Sequence, residues 1–244
     1  MKIVNSVTTA DVAAYRERGL KLSADPAHSN FLLPEIPANT RRILDIGCHA
    51  GHVFEVLRLP PYCEVFGCDI DAEALAVARK CLPHATFSFA KAEELPYENS
   101  YFDFVFARST AYLLDIPKAL SELNRVLRPG GRLWISSHRW RDIHVLLRGP
   151  FYDHPIKTTV FGTYVAVNSA LFHFTGRLVR YPLNRSRVMT FQTEDRMRKE
   201  LQKAGFGRIR VSDNRHFVID AEKLDPVVRL KEWIGLDKLI KKIA

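Results

Sequence analysis

Between Arg41 and Ser137 short apolar runs alternate with segments whose apolar residues recur at helical spacing. Ile43-Leu44-Asp45-Ile46 reads as a buried strand ending in a glycine turn, and His52 to Arg58 as a short helix. Glu64 to Cys68 reads as a second strand. Asp71 then caps a helix carrying Leu75, Ala78 and Leu82 on one face. Ala85 to Phe89 and Phe102 to Ala107 follow as strands. Ile116, Leu120, Leu123 and Leu127 line the next helix, with Pro117 in its first turn. Pro129-Gly130-Gly131 ends that helix before a fifth strand, Arg132 to Ser136. Strands alternating with helices imply a parallel sheet covered on both faces.

Two flanking regions complete the pattern. Upstream, Thr8 or Thr9 caps a helix running through Val12, Tyr15 and Arg16 to a stop at Gly19, and Pro34 and Pro37 mark an irregular approach to the core. Downstream, Thr193 caps a helix with Met197, Leu201 and Ala204 on one face, closed by Gly205. Arg208 to Ser212 and His216 to Ile219 are joined by Asp213-Asn214-Arg215, a link short enough to require an antiparallel hairpin. The expected fold is an open, doubly wound, Rossmann-like α/β sheet. Its parts are a helical preamble (1–40), a core (41–138), an insertion (139–190), the end of the core (191–220) and a C-terminal helix (221–244).

Composition adds one unusual feature. The 244 residues suit one domain, and 12 glycines with 13 prolines exclude a fibrous or low-complexity chain. Cys48, Cys63, Cys68 and Cys81 have no Cys-x-x-Cys spacing, so neither a zinc knuckle nor a disulfide framework is expected. No metal site is expected, and Cys48 and Cys68 read as small buried fillers. The first residues carry no signal-peptide pattern, and a cytoplasmic location is expected. The formal charge, however, is +9. Between Arg139 and Arg187 eight basic residues face only Asp142 and Asp153, which accounts for two thirds of that excess. Such a concentration favours an anionic partner.

The candidate chemistry sits where open α/β sheets bind ligands, at the carboxyl ends of the strands. The loop after the first strand reads Asp45-Ile46-Gly47-Cys48-His49-Ala50-Gly51. Its glycines let backbone approach a ligand, and Asp69, 24 residues after Asp45, ends the second strand where it suits a pair of ribose hydroxyls. The spacing is not the Gly-x-Gly-x-x-Gly of a dehydrogenase.

With Gly67-Cys68-Asp69-Ile70-Asp71, Ala92-Glu93-Glu94-Leu95-Pro96-Tyr97, Tyr101-Phe102-Asp103-Phe104-Val105, Leu127-Arg128-Pro129-Gly130-Gly131 and Ala204-Gly205-Phe206, the chain resembles the small-molecule class I S-adenosylmethionine-dependent methyltransferases. The resemblance implies a seven-stranded core that binds S-adenosylmethionine and leaves S-adenosylhomocysteine. It places the methionine part of the cofactor on the backbone around Gly47 and Gly51, and its amino group by Asp45. It places the ribose on Asp69, and the adenine on Ile70 and beside Ala92 and Glu93. Arg108 would stand near the sulfonium and the substrate. At His49 the family usually has glycine, and at Lys91 it commonly has aspartate.

At the rim, His138 is a candidate general base, and Tyr112 a candidate hydrogen-bonding group for the acceptor. The acceptor is expected to be a small molecule, anionic and partly apolar, with Arg177 and Arg180 as candidate anion contacts. Three readings stand for the uncharged stretch Thr158 to Gly176: a lid whose aromatics Phe161, Tyr164, Phe172 and Phe174 line an apolar pocket, a membrane span, or an interfacial element facing anionic lipid. The amphipathic segment 236–243 offers a second peripheral membrane contact. The alternatives are an RNA or protein methyltransferase and a non-catalytic member of the fold; nucleic acid fits less well, because the basic residues flank an apolar run.

Overall fold

The computed structural model describes residues 9–23, 25, 32–138, 155–184, 188–213 and 217–225. Their elements are α1 (Thr9–Ser23), β1 (Arg42–Ile46), α2 (Val53–Val56), β2 (Glu64–Asp69), α3 (Ala72–Cys81), β3 (Thr86–Phe89) and β4 (Phe102–Arg108). Then come α4 (Ile116–Val126), β5 (Leu127–Ser137), α5 (Pro155–Thr175), α6 (Glu194–Ala204), β6 (Phe206–Asp213) and β7 (Phe217–Lys223). The strands form one seven-stranded sheet in the order β3-β2-β1-β4-β5-β7-β6. The first five are parallel, and β7 pairs antiparallel with both β5 and β6. This is the doubly wound sheet with a terminal hairpin that the alternation of elements implies.

Side-chain alternation along the strands divides the core between two faces. On β1 Ile43 points to one face while Leu44 and Ile46 point to the other; on β4 Phe104 and Phe106 oppose Val105 and Ala107. One face packs on Phe54 of α2 and on Leu75 and Ala78 of α3. The other packs on Leu120 and Leu123 of α4, Phe172 of α5, and Met197 and Leu201 of α6. The chain winds outward from β1 through β2 to β3 and then crosses back to β4 on the other side of β1, so the crevice of an open sheet falls at the carboxyl ends of β1 and β4.

Four elements differ from the sequence reading. First, α1 does not stop at Gly19 but continues to Ser23. Gly19 is there for close approach: a Cβ on it would lie 2.6 Å from Nε2 of His52. Second, β5 begins at Leu127, because Leu127 pairs with Phe102 and the register shifts before Arg132 pairs with Phe104. The Pro-Gly-Gly turn is thus an irregularity within the strand. Third, Thr193 makes no side-chain cap bond to α6; its hydroxyl meets Nδ1 of His173 at 2.8 Å. Fourth, the aromatics of α5 do not line the cleft. Phe172 is buried in the main core, Phe161 packs with Val165, Tyr181, Met189 and Phe191, Tyr164 packs against that cluster, and Phe174 is exposed. Among the described residues no helix is long and apolar enough to cross a membrane. The segment 236–243, the hairpin turn, and the part of the insertion before Pro155 lie outside the described residues.

Candidate functional site

The loop after β1 is built by backbone hydrogen bonds to β2. Gly47 N and Cys48 N donate to the Cys68 carbonyl at 2.8 and 3.1 Å. This turn needs φ +72° at Gly47, and a Cβ there would meet Oγ1 of Thr110 at 2.5 Å. His49 also takes a left-handed conformation, with φ +47°. Asp69 holds the arrangement: Oδ2 accepts from His49 N at 2.8 Å and Oδ1 from Asp71 N at 3.0 Å. Asp71 in turn caps α3, its Oδ1 accepting from Ala74 N at 3.0 Å. The two acids divide the work, one capping a helix and one tying the glycine loop to the end of β2.

Below the loop lies a buried polar cluster that joins distant segments. Asp45 is fully buried, its Oδ2 has no hydrogen-bond partner, and burial pushes its carboxyl well above the usual carboxylate range. Arg108, at the end of β4, opposes that rise. The Arg108 guanidinium donates to Ser23 Oγ at 3.1 Å and to His52 Nε2 at 2.8 Å. Because Nε2 faces a cation it must accept, which places the ring proton on Nδ1. Nδ1 of His52 is buried without a partner, as is Nδ1 of His49, whose ring packs 4.3 Å from Tyr15. His49 therefore tucks its side chain against Tyr15 of α1.

Burial first, then the charge of Arg108, lower His52 from 6.5 to about 4. The unfolded chain thus takes up this proton before the folded one does. The His52 contribution is complete above pH 6.5 and is lost as pH falls toward 4. Over that interval it amounts to at most about 3 kcal/mol. Urea midpoints measured across this pH range for wild type and His52→Gln will converge at the acid end; parallel curves would remove His52 as the cause.

A cavity of about 590 Å³ opens over this cluster and the loop, within the size range of small-molecule sites. Asp45, Gly47, His49, Asp69 and Arg108 stand in its wall. So do Ile70 and Ala92, and Glu93, whose Oε1 accepts from Asp115 N at 2.8 Å. Lys91 is exposed in the wall, and its carbonyl accepts from Glu94 N at 3.0 Å. Gly51 lies outside the wall, where a Cβ would meet Leu82 and Phe87. Tyr112 stands in the wall, and burial raises its phenol. His138 does not; its ring lies 5.1 Å from that of Tyr112. Arg180 reaches the wall and Arg177 does not. Cys48 and Cys68 are buried free thiols, and burial pushes Cys68 up to about 12.

Sequence reasoning missed Tyr15, Ser23, His52 and Thr110. Tyr15 and Ser23 belong to α1, which the sequence pattern places in a preamble outside the core. The one available signal was Gly19, whose place inside a helix implies that something packs closely against it.

Residues 44–135 match the family model described as a methyltransferase domain. This stretch is a methyltransferase domain. It holds the glycine loop, Asp69 and all of β4, so the cavity lies mainly within the domain. An uncharacterized methyltransferase of Mycobacterium tuberculosis is 37% identical over 122 residues, covering 50% of this chain and 48% of the relative. The chain spans about half the length of the curated relatives it matches. A SAM-dependent methyltransferase structure from Methanosarcina mazei aligns with a TM-score of 0.53 at 21% identity, covering 79% of this chain and 98% of that one. Phosphoethanolamine N-methyltransferase 2 of Haemonchus contortus, in complex with S-adenosyl-L-methionine, aligns with a TM-score of 0.56 at 15% identity, over 91% of this chain and 59% of that one. At these identities the two structures establish the fold of the methyltransferase domain and its surroundings.

Proposed function

We propose that this protein transfers a methyl group from S-adenosylmethionine to a small anionic, partly apolar acceptor. The observation that carries the reading is Asp69, fixed by two backbone donors at the mouth of the cavity beside the glycine loop. A carboxylate has about four acceptor positions, so two remain for the paired hydroxyls of a ribose.

The other wall residues fit the same molecule. The unpartnered, buried Oδ2 of Asp45 suits an ammonium group, which would supply the cation that a buried carboxylate requires. Ile70 is 65% exposed in the cavity wall, an apolar surface suited to a flat ring. Ala92 and Glu93 belong to the same wall. Arg108 is held by Ser23 and His52 rather than extended toward an acceptor, so it would act by charge, offsetting Asp45.

When bound, the sulfonium supplies an already activated methyl group. The protein's share is then to align the acceptor with it, which is worth roughly 7–11 kcal/mol when reacting groups are well placed. Tyr112 would orient the acceptor as a hydrogen-bond donor, since burial keeps its phenol protonated. His138 would act through Tyr112.

The direct test is calorimetric titration with S-adenosylhomocysteine. Micromolar binding is expected; absence of heat in folded protein freed of carried-over ligand would overturn the reading. The anionic character of the acceptor rests on Arg180 and Lys118, both in the cavity wall. Once an acceptor is in hand, Arg180→Gln should raise KM about tenfold, as expected for losing a charge-assisted hydrogen bond. Arg177→Gln should leave KM unchanged. Equal effects would detach the charge argument from the cavity.

A further inference from the structure

A surface helix ordinarily buries one apolar stripe and presents polar or charged residues to water. α5 does not follow this rule. Its inner face is complete: Phe161, Val165 and Phe172 are buried against the rest of the protein. Its outer face carries Val160, Val167 and Phe174, spaced seven residues apart and therefore on one side of the helix. All three are exposed, Val167 by 62% and Phe174 by 78%. No charged residue occurs from Thr158 to Gly176.

The loop that follows extends the same surface. Val179 is exposed and Leu183 is 77% exposed. The loop is not loosely attached: Tyr164 Oη donates to the Val179 carbonyl at 2.8 Å, and Val179 N donates to Asn168 Oδ1 at 2.8 Å. An apolar face of this kind, pinned in place, calls for a covering partner.

Charge selects the partner. Lys157 stands exposed at one end of the helix and Arg177 at the other. From residue 154 to residue 193 the sequence contains five Lys or Arg and no Asp or Glu. A symmetric pairing of two copies through this face would set basic residues against basic residues. A nucleic acid would leave the valines and Phe174 without apolar contacts. An anionic bilayer answers both demands, with acyl chains for the stripe and head groups for its ends.

We infer that the outer face of α5, with Val179 and Leu183, seats the protein on an anionic lipid surface. Arg180 and Val188 line the cavity, so the seated face adjoins its wall. The inference stands whether or not the protein transfers methyl groups.

The test is co-sedimentation of the full chain with vesicles of phosphatidylcholine alone and of phosphatidylcholine mixed with phosphatidylglycerol. Partitioning should be at least about tenfold greater with the anionic vesicles and should fall with added salt. Val167→Glu with Phe174→Glu should reduce it at least about tenfold, by placing charges where apolar groups are buried in lipid. Lys157→Glu with Arg177→Glu, which leaves the apolar stripe intact, should do likewise. Equal binding to both vesicle types, undiminished binding by both double variants, or no binding at all would overturn the proposal. So would a concentration-dependent dimer, seen in sedimentation velocity and abolished by Val167→Glu with Phe174→Glu, if the wild type ignores vesicles.

Discussion

Asp69→Ala should weaken S-adenosylhomocysteine binding by at least a hundredfold. Two hydrogen bonds from a ribose to a charged acceptor are worth about 3–6 kcal/mol together, which sets that lower bound. The same substitution frees His49 N and Asp71 N, which the carboxylate now holds at 2.8 and 3.0 Å. Part of the loss will therefore come from a loosened loop. Asp69→Asn narrows the difference, because its amide keeps an acceptor for only one of the two backbone donors and presents a donor to the other. It should lose less melting temperature than Asp69→Ala and still lose most of the binding. Micromolar binding by a folded Asp69→Ala variant would remove this residue from the ligand site.

The largest expected effect on stability is at Arg196, far from the cavity. Arg196 and Glu200 are both buried, with Arg196 Nη1 and Glu200 Oε1 2.7 Å apart. The guanidinium also donates to the carbonyls of His173 and Phe174, at 3.0 and 3.2 Å. Those carbonyls belong to the last turn of α5, which has no intrahelical partners for them. One side chain thus pairs a buried acid and closes a helix that is packed against α6. Arg196→Met should cost about 3–5 kcal/mol, because it leaves a buried carboxylate and two helix-end carbonyls without this donor. Lys203, 2.9 Å from the same carboxylate oxygen, places the cost toward the lower end. For a chain of this size that is a fall of roughly 6–20 °C in melting temperature. Adding Glu200→Leu should recover part of it, since the stranded charge is then gone. A single variant melting within a degree or two of wild type would show that Lys203 and α5 tolerate the loss unaided.

Much of the architecture was legible from local pattern. The alternation of strands and helices, the capping role of Asp71 and the left-handed stop at Gly205 all follow from residues within a few positions of one another. The position of Asp69 at the end of β2 was legible as part of a strand–turn–helix unit, but its bond to His49 N, 20 positions away, was not.

What escaped the pattern has another origin. Gly19 reads as a helix stop when only its own conformational cost is counted; the structure uses the missing side chain to admit His52, 33 positions away. Arg108 reads as a group facing the ligand, yet its partners are Ser23 and His52, 85 and 56 positions away. Phe161 and Phe172 read as a pocket lining, but periodicity cannot say which of two apolar faces turns inward. The sequence by itself determined where the strands and helices lie and that an acid ends β2, because those depend on short-range sterics and hydrogen bonding. Only the tertiary structure decided which side chains share the space above the sheet, because that depends on the packing of segments whose separation along the chain carries no local signal.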